Sequence, residues 1–105
     1  MTTFLITRHP ATVDWLLHRN IEAELISHYD PDSDRIGRGD WVIGNLPIQL
    51  IADICSRDAR YLHLEMEVPE EMRGKELTVN DMDRFQARLV EYSALYIGEL
   101  CELQR

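Results

Sequence analysis

The apolar and polar positions of this chain alternate between the period of a strand and that of a helix. The run at 3–8 is rich in β-branched and aromatic residues and too short for a buried helix, so it predicts an interior strand buried on both faces. Pro10 suits a helix start, and apolar residues then recur at helical spacing. We expect a helix over 11–19 that ends near Asn20, a residue that tolerates a left-handed C-cap.

The middle of the chain repeats this order. Residues 23–29 predict a second strand and residues 40–45 a third, with a surface loop rich in Asp, Pro, Ser and Gly between them. Pro47 then opens a second predicted helix. The apolar positions of that helix include Ile48, Ile51, Ala52 and Cys55.

The last third of the chain predicts one more strand and one long helix. Alternation over 60–68 indicates a half-buried strand near a sheet edge, and residues 69–79 predict a charged connection. Asn80 is the predicted N-cap of the final helix, with acidic residues in its first turn. That helix is predicted to carry an apolar stripe, interpreted as core or alternatively as a dimer surface, at Phe85, Leu89, Tyr92, Tyr96, Leu100 and Leu103.

This order of elements favours an α/β fold with a mostly parallel sheet flanked by helices. The length of 105 residues fits a single domain over 1–105. In sheets of this kind, ligands bind outside the carboxyl ends of the strands. The polar residues that follow the first and third strands are therefore the first candidates for a site.

Charge and composition narrow the possible functions. The formal net charge of −8 argues against a broad surface for duplex nucleic acid, but it leaves room for a small anion in a local basic pocket. No apolar stretch reaches the length needed to cross a membrane, and the N-terminus lacks a secretory pattern. Cys55 and Cys101 fall on apolar faces of predicted helices. We interpret them as buried free thiols of a cytoplasmic protein, with a disulfide as the alternative.

Arg8 and His9 follow the first strand directly and precede a helix. An arginine binds phosphate through two parallel hydrogen bonds, a histidine transfers protons near neutral pH, and a helix N-terminus offers free amide donors. Thr7 and Pro10 flank this pair and are expected to line the same ligand site. The structural alternative is that Arg8 pairs with a carboxylate, while His9 caps the helix or faces solvent.

The turn after the third strand offers a second polar cluster. Gly44 would let a ligand approach the backbone, and Asn45 would orient a hydroxyl or phosphate oxygen, with Leu46 beside them. The alternative is a tight turn with an asparagine cap. Arg73 and Lys75, in the connection after the last strand, would cover a ligand, and a solvated charged loop is the alternative there. Arg35 and Arg38, in the loop before Asp40, are further candidates with less support.

No metal or cofactor site is predicted. Asp30, Asp32 and Asp34 resemble the opening of a calcium loop, but Arg35 stands where glycine is needed and Trp41 where the bidentate glutamate belongs. We interpret this segment as a solvated acidic loop. The remaining histidines have no ligand-like spacing and are interpreted as structural: His18, His28 and His63.

Three segments of the chain resemble a family of small CRISPR-associated proteins encoded beside type III systems. They are FLITRHPATVDWL, GDWVIGNLP and ARYLHLEMEVPEEMRGKEL, the last of which includes Pro-x-x-x-Arg-Gly-x-Glu-Leu from Pro69 to Leu77. This family is similar to a minimal CARF domain, a Rossmann-like fold that recognises cyclic oligoadenylate messengers. The resemblance implies a ring nuclease that opens cyclic tetra-adenylate and so switches off the antiviral response.

A ring nuclease of this kind would use the 2′-hydroxyl of its own ligand as the nucleophile, without a metal, and would leave linear adenylates ending in a 2′,3′-cyclic phosphate. By position, we expect Arg8 to stabilise phosphate, His9 to transfer a proton or place the hydroxyl, and Asn45 to orient ribose or phosphate. Arg73 would contact the ring from the covering loop. A two-fold homodimer would match the symmetry of the ring.

Three other functions remain open from the sequence. The protein would act as a sponge if it bound cyclic oligoadenylate without cleaving it, or as an interaction module if it bound only other proteins. The opening strand-Arg-His-Pro also resembles the strand-Arg-His-Gly of histidine phosphatases. Against that class, Pro10 replaces the glycine, and the chain is short for the second catalytic histidine region.

Overall fold

The structure is a computed structural model and describes residues 1–100. Within them the chain forms five strands and three α-helices, with a 3-10 turn at Glu70–Met72. The elements follow in the order β1 (Thr3–Ile6), α1 (Pro10–His18), β2 (Glu24–Ile26), β3 (Trp41–Gly44), α2 (Ile48–Ser56), β4 (Arg60–Glu65), α3 (Val79–Arg84) and β5 (Arg88–Tyr92).

The strands form one sheet in the order β2-β1-β3-β4-β5. The first four strands are parallel, and β5 runs antiparallel to β4. This confirms the predicted α/β class, a small Rossmann-like fold with β1 in the interior. Strand β1 has β2 on one side and β3 on the other, so the direction of winding reverses between β1 and β3. Such a switch point leaves a crevice at the carboxyl ends of the strands.

The core lies on both faces of this sheet. On one face α1 and α3 contribute Trp15 and Met82, which are almost completely buried. On the other face α2 contributes Ile54, which packs with Tyr61 of β4. Burial of each such side chain stabilises the fold by roughly 1.5–3 kcal/mol. The two layers hold the strand ends, and hence the turns that follow them, in fixed positions.

Helix α1 ends as predicted. Asn20 adopts a left-handed conformation with φ of 58°, and the following Ile21 N–H donates to the carbonyl of Leu16 at 3.0 Å. This backbone bond satisfies a carbonyl that the last turn leaves without a helical partner. The remaining predicted strands and helices before residue 66 are present with ends that differ by a few residues.

The predicted long final helix is wrong. Helix α3 begins after Thr78 rather than Asn80, because Thr78 and Asp81 form a reciprocal capping box. It ends after six residues, because Gln86 takes a left-handed conformation with φ of 60°. The N–H of Ala87 then donates to the Met82 carbonyl at 2.9 Å, which closes the helix.

The stretch after α3 forms β5 instead. We expected β4 near an edge of the sheet, but β5 pairs with it on that side. Leu89 pairs with Leu64, and Tyr92 pairs with Tyr61. Strand β4 is therefore interior. Further along, Tyr96 and Leu100 are exposed and belong to no helix or strand, and Leu103 lies outside the described residues.

Cys55 lies on α2 and is half-buried against the core, whereas Cys101 lies outside the described residues. The prediction that the Cys55 thiol is buried is thus confirmed in part. Among residues 1–100, no helix combines the length and the apolar character that crossing a membrane requires.

Candidate functional site

A cleft of about 1250 Å³ opens at the carboxyl ends of β1, β3 and β4. It lies where the fold places the crevice of the switch point. The connection between β4 and α3 forms its opposite wall. Eight residues that the sequence predicted for the ligand site line this one cleft: Thr7, Arg8, His9, Pro10, Gly44, Asn45, Leu46 and Arg73. Arg35 and Arg38, the candidates with less support, do not line it.

The turn between β1 and α1 contributes three polar residues to the cleft, Thr7, Arg8 and His9. The His9 N–H donates to Thr7 Oγ1 at 3.1 Å, and the His9 carbonyl accepts from the Thr12 N–H at 3.1 Å. These bonds fix the backbone of the turn with Pro10 at the first helical position. His9 is the N-cap residue of α1, but its imidazole makes no capping hydrogen bond. The residue is exposed, which agrees with the alternative that it faces solvent.

Arg8 is exposed at this turn, and it pairs with no carboxylate among residues 1–100. The salt-bridge alternative therefore does not hold for that part of the chain. An unpaired guanidinium keeps its donors available for a planar or tetrahedral oxyanion. Arg8 is thus placed to bind an anion that enters the cleft.

Two features shape the turn after β3, a hydrogen bond from Asn45 and the absence of a side chain at Gly44. Asn45 Nδ2 donates to the Leu64 carbonyl at 2.8 Å, which ties this turn to β4 and leaves Oδ1 as an acceptor. A side chain at Gly44 would place its Cβ 3.3 Å from Leu46 Cγ and 3.4 Å from the Ile6 carbonyl oxygen. The glycine therefore makes room for Leu46, in addition to lining the cleft.

Arg73 and Lys75 line the cleft from the segment after the 3-10 turn. The Arg73 N–H donates to the Glu70 carbonyl at 3.2 Å, which holds the backbone at this point. Both side chains are exposed, and neither joins an ion pair within residues 1–100. They add two cationic groups to the wall that faces the strand ends.

The cleft is locally positive although the chain is acidic. Its local formal charge is +2, against −8 for the whole chain. Salt limits the reach of distant charges to about 10 Å at 0.1 M, so an anion in the cleft responds mainly to the groups that line it. Those groups are the cations Arg8, Arg73, Lys75 and Arg88 and the carboxylates Glu65 and Glu76.

A buried tyrosine and a histidine in the cleft were missed as functional candidates. Tyr61 is fully buried, and burial raises the pKa of its hydroxyl. Its oxygen accepts from the Leu46 N–H at 3.0 Å and lies 2.7 Å from Nδ1 of His63. His63 lines the cleft beside Gly44, its partner on β3. The sequence signal for this pair was their spacing of two along a predicted strand, which places both side chains on one face of the sheet.

The arrangement suits an anionic ligand with hydroxyl groups. Guanidinium and ammonium groups bind phosphate oxygens, an exposed imidazole exchanges protons, and a free amide oxygen accepts from a ribose hydroxyl. Within the described part of the chain, no three His, Cys, Asp or Glu side chains come together as metal ligands.

Comparison with known proteins identifies a family. Residues 4–95 match the model of a family described as "Putative CRISPR-associated protein (Cas_VVA1548)". Apart from Thr3 at the start of β1, the matched range contains the strands and helices given above, and it contains all eight residues of the predicted site that line the cleft. No curated protein and no solved structure matched the chain.

Proposed function

The chain belongs to the CRISPR-associated family just described, and on that premise we propose that it binds cyclic oligoadenylate and cleaves it as a ring nuclease. We name cyclic tetra-adenylate as the ligand to test. The observation that carries this proposal is the cationic cleft at the switch point of an otherwise acidic chain.

The size of the cleft supports a ligand larger than a mononucleotide. Pockets for small molecules have volumes of about 300–1,000 Å³. The cleft of this protein exceeds that range at about 1250 Å³. Its cations come from two sides, the strand ends and the segment after β4, so they suit phosphates that are spread around a ring.

The proposed reaction is an internal transesterification. The 2′-oxygen of one ribose bonds to the adjacent phosphorus, and the bond from that phosphorus to the 5′-oxygen breaks. The proton of the 2′-hydroxyl passes to His9, and the departing 5′-oxygen takes a proton from water. The hydroxide that this leaves takes the proton back from His9, so the net reaction is an isomerisation. The products are a 5′-hydroxyl and a 2′,3′-cyclic phosphate. No redox partner is needed, and the rate gain comes from alignment and charge stabilisation.

Three of the predicted residues have roles that their surroundings permit. Arg8 stabilises the phosphate, because its guanidinium has no competing carboxylate in the described residues. Asn45 orients a ribose hydroxyl through Oδ1, because its amide nitrogen already donates to Leu64. Arg73 contacts the ring from the opposite wall of the cleft.

A two-fold homodimer completes the proposal. The ring repeats its phosphates symmetrically, so two clefts related by a two-fold axis would bind it with identical groups. Leu95, Tyr96 and Ile97 follow β5 with exposures of 82%, 73% and 89%. Three consecutive exposed apolar side chains are a suitable surface for a second copy of the chain.

The experiment that tests catalysis compares wild type with His9→Ala for both binding and cleavage of cyclic tetra-adenylate. We expect the variant to retain binding and to cleave at least 100-fold more slowly, since general-base catalysis contributes about 10²–10⁴-fold. His18→Ala is the matched control, because His18 is exposed at the end of α1 outside the cleft. Tight binding by wild type with no cleavage would establish a sponge instead.

A further inference from the structure

A chain of hydrogen bonds leads from the turn after β3 to an imidazole in the cleft. The Leu46 N–H donates to the Tyr61 oxygen, and that oxygen lies 2.7 Å from His63 Nδ1. Since the Tyr61 oxygen already accepts one bond and is shielded from solvent, its own O–H is directed to the remaining partner, Nδ1. This assignment of the proton follows from the hydrogen-bond network.

The bond from Tyr61 determines which nitrogen of His63 carries hydrogen. A neutral imidazole has one donor and one acceptor, so a ring that accepts at Nδ1 donates at Nε2. His63 Nε2 has no hydrogen-bond partner among residues 1–100. No buried side-chain nitrogen or oxygen in that range lacks a partner, so Nε2 is accessible from the cleft.

The ring is also held by packing. Tyr92 of β5 meets the His63 imidazole edge-on, with ring centroids 5.9 Å apart and planes at 87°. The Tyr92 hydroxyl in turn donates to Glu65, which raises the pKa of that hydroxyl. The neighbour of His63 across β3 is Gly44, which places no side chain against the imidazole. His63 is therefore fixed on one side and open on the other.

We propose that His63 binds a phosphate oxygen of the ligand through its Nε2–H, and that Tyr61 is the positioning residue that fixes this tautomer. The inference rests on the proposed function and adds a residue to it. His63 then serves as a fixed neutral donor to the phosphate under attack, whereas the exposed His9 moves a proton. A donor that is already oriented costs no reorganisation when charge develops in the transition state.

The test measures the dissociation constant for cyclic tetra-adenylate in wild type and four variants. We expect His63→Ala to weaken binding about tenfold or more, and His63→Gln to restore most of it because its amide nitrogen lies near the position of Nε2. Tyr61→Phe keeps the ring but removes the bond to Nδ1, and we expect it to weaken binding to a smaller degree. His18→Ala is expected to bind as wild type.

A second measurement needs no variant. Two-bond ¹H–¹⁵N NMR correlations of the free wild-type protein report which nitrogen of each histidine is protonated. We expect His63 to carry hydrogen on Nε2, and protonation at Nδ1 in the neutral ring would overturn the role of Tyr61. If wild type binds the ring and His63→Ala binds it with the same affinity, the role of His63 is overturned while the proposed function stands. Absence of binding by wild type would overturn both.

Discussion

Arg8 and Arg73 approach the cleft from different parts of the chain, one after the first strand and one after the fourth. Neither is paired with a carboxylate among the described residues, although the chain has many acidic side chains. Their guanidinium donors are therefore available to an anionic ligand in the cleft.

Arg8→Ala is expected to weaken binding of cyclic tetra-adenylate by about ten- to a hundredfold, because a hydrogen bond to a charged group contributes about 1.5–3 kcal/mol. Fluorescence polarisation with a labelled ring measures this change. Arg38→Ala is the control, since the Arg38 side chain is 89% exposed on a loop outside the cleft. Equal affinity of the two variants would contradict the placement of Arg8 on the ligand.

At this scale the sequence revealed the residues that are neighbours along the chain. Arg8 and His9 were predicted because they follow an apolar strand directly. His63 was interpreted as structural, because it has no ligand-like spacing with the other histidines. Tyr61 contacts it through strand geometry, and Tyr92 does so only because β5 pairs with β4.

At the scale of elements, α3 decides how the last third of the chain is arranged. Phe85, Leu89 and Tyr92 are spaced as on one helix face, and the same residues also fit a helix end followed by a strand. Periodicity does not separate these two arrangements over so short a stretch. The left-handed conformation of Gln86 ends the helix and so separates them. A glutamine in the sequence does not predict that conformation.

The N-cap of α3 gives a stability test. Thr78→Ala is expected to lower the free energy of unfolding by about 1 kcal/mol, because Thr78 accepts the Asp81 N–H at the helix start. Urea denaturation followed by circular dichroism measures it. Asn80→Ala, at the position predicted as the cap, is expected to change stability by less than about 0.5 kcal/mol. The reverse order of the two effects would contradict the observed helix start.

The same cap gives a pH dependence. The Thr78 N–H donates to the Asp81 carboxylate and holds the pKa of Asp81 below its usual range. A carboxyl whose pKa is lowered in the folded state stabilises the fold above its unfolded pKa of about 3.9, and this contribution is lost as pH falls through the folded pKa. The stability difference between wild type and Asp81→Asn is therefore expected to shrink below about pH 4. A constant difference down to pH 2 would contradict the capping box.

For the molecule as a whole, the parallel order of strands placed the site. Alternating strands and helices predicted a mostly parallel sheet, and the carboxyl-end rule then indicated a common edge for the turns after β1 and β3. Eight predicted residues line the cleft at that edge. The contribution of Arg88 from β5 was not predictable, because it depends on an antiparallel pairing that the last third of the chain did not indicate.

The proposed dimer is tested by stoichiometry and mass. Isothermal titration calorimetry is expected to show one ring for two chains, and sedimentation is expected to show about twice the chain mass of 12.3 kDa. Ile97→Asp introduces a charge into the exposed apolar segment and is expected to give monomers. A wild-type monomer that binds one ring per chain would contradict this assembly.

The most direct measurement is incubation of the purified protein with cyclic tetra-adenylate in EDTA, followed by chromatography and mass spectrometry of the products. The proposed chemistry predicts complete conversion to linear adenylates that carry a 2′,3′-cyclic phosphate, at a rate unaffected by the chelator. Recovery of the intact ring after incubation with excess protein would contradict cleavage, and failure of that ring to co-elute with the protein would contradict binding as well.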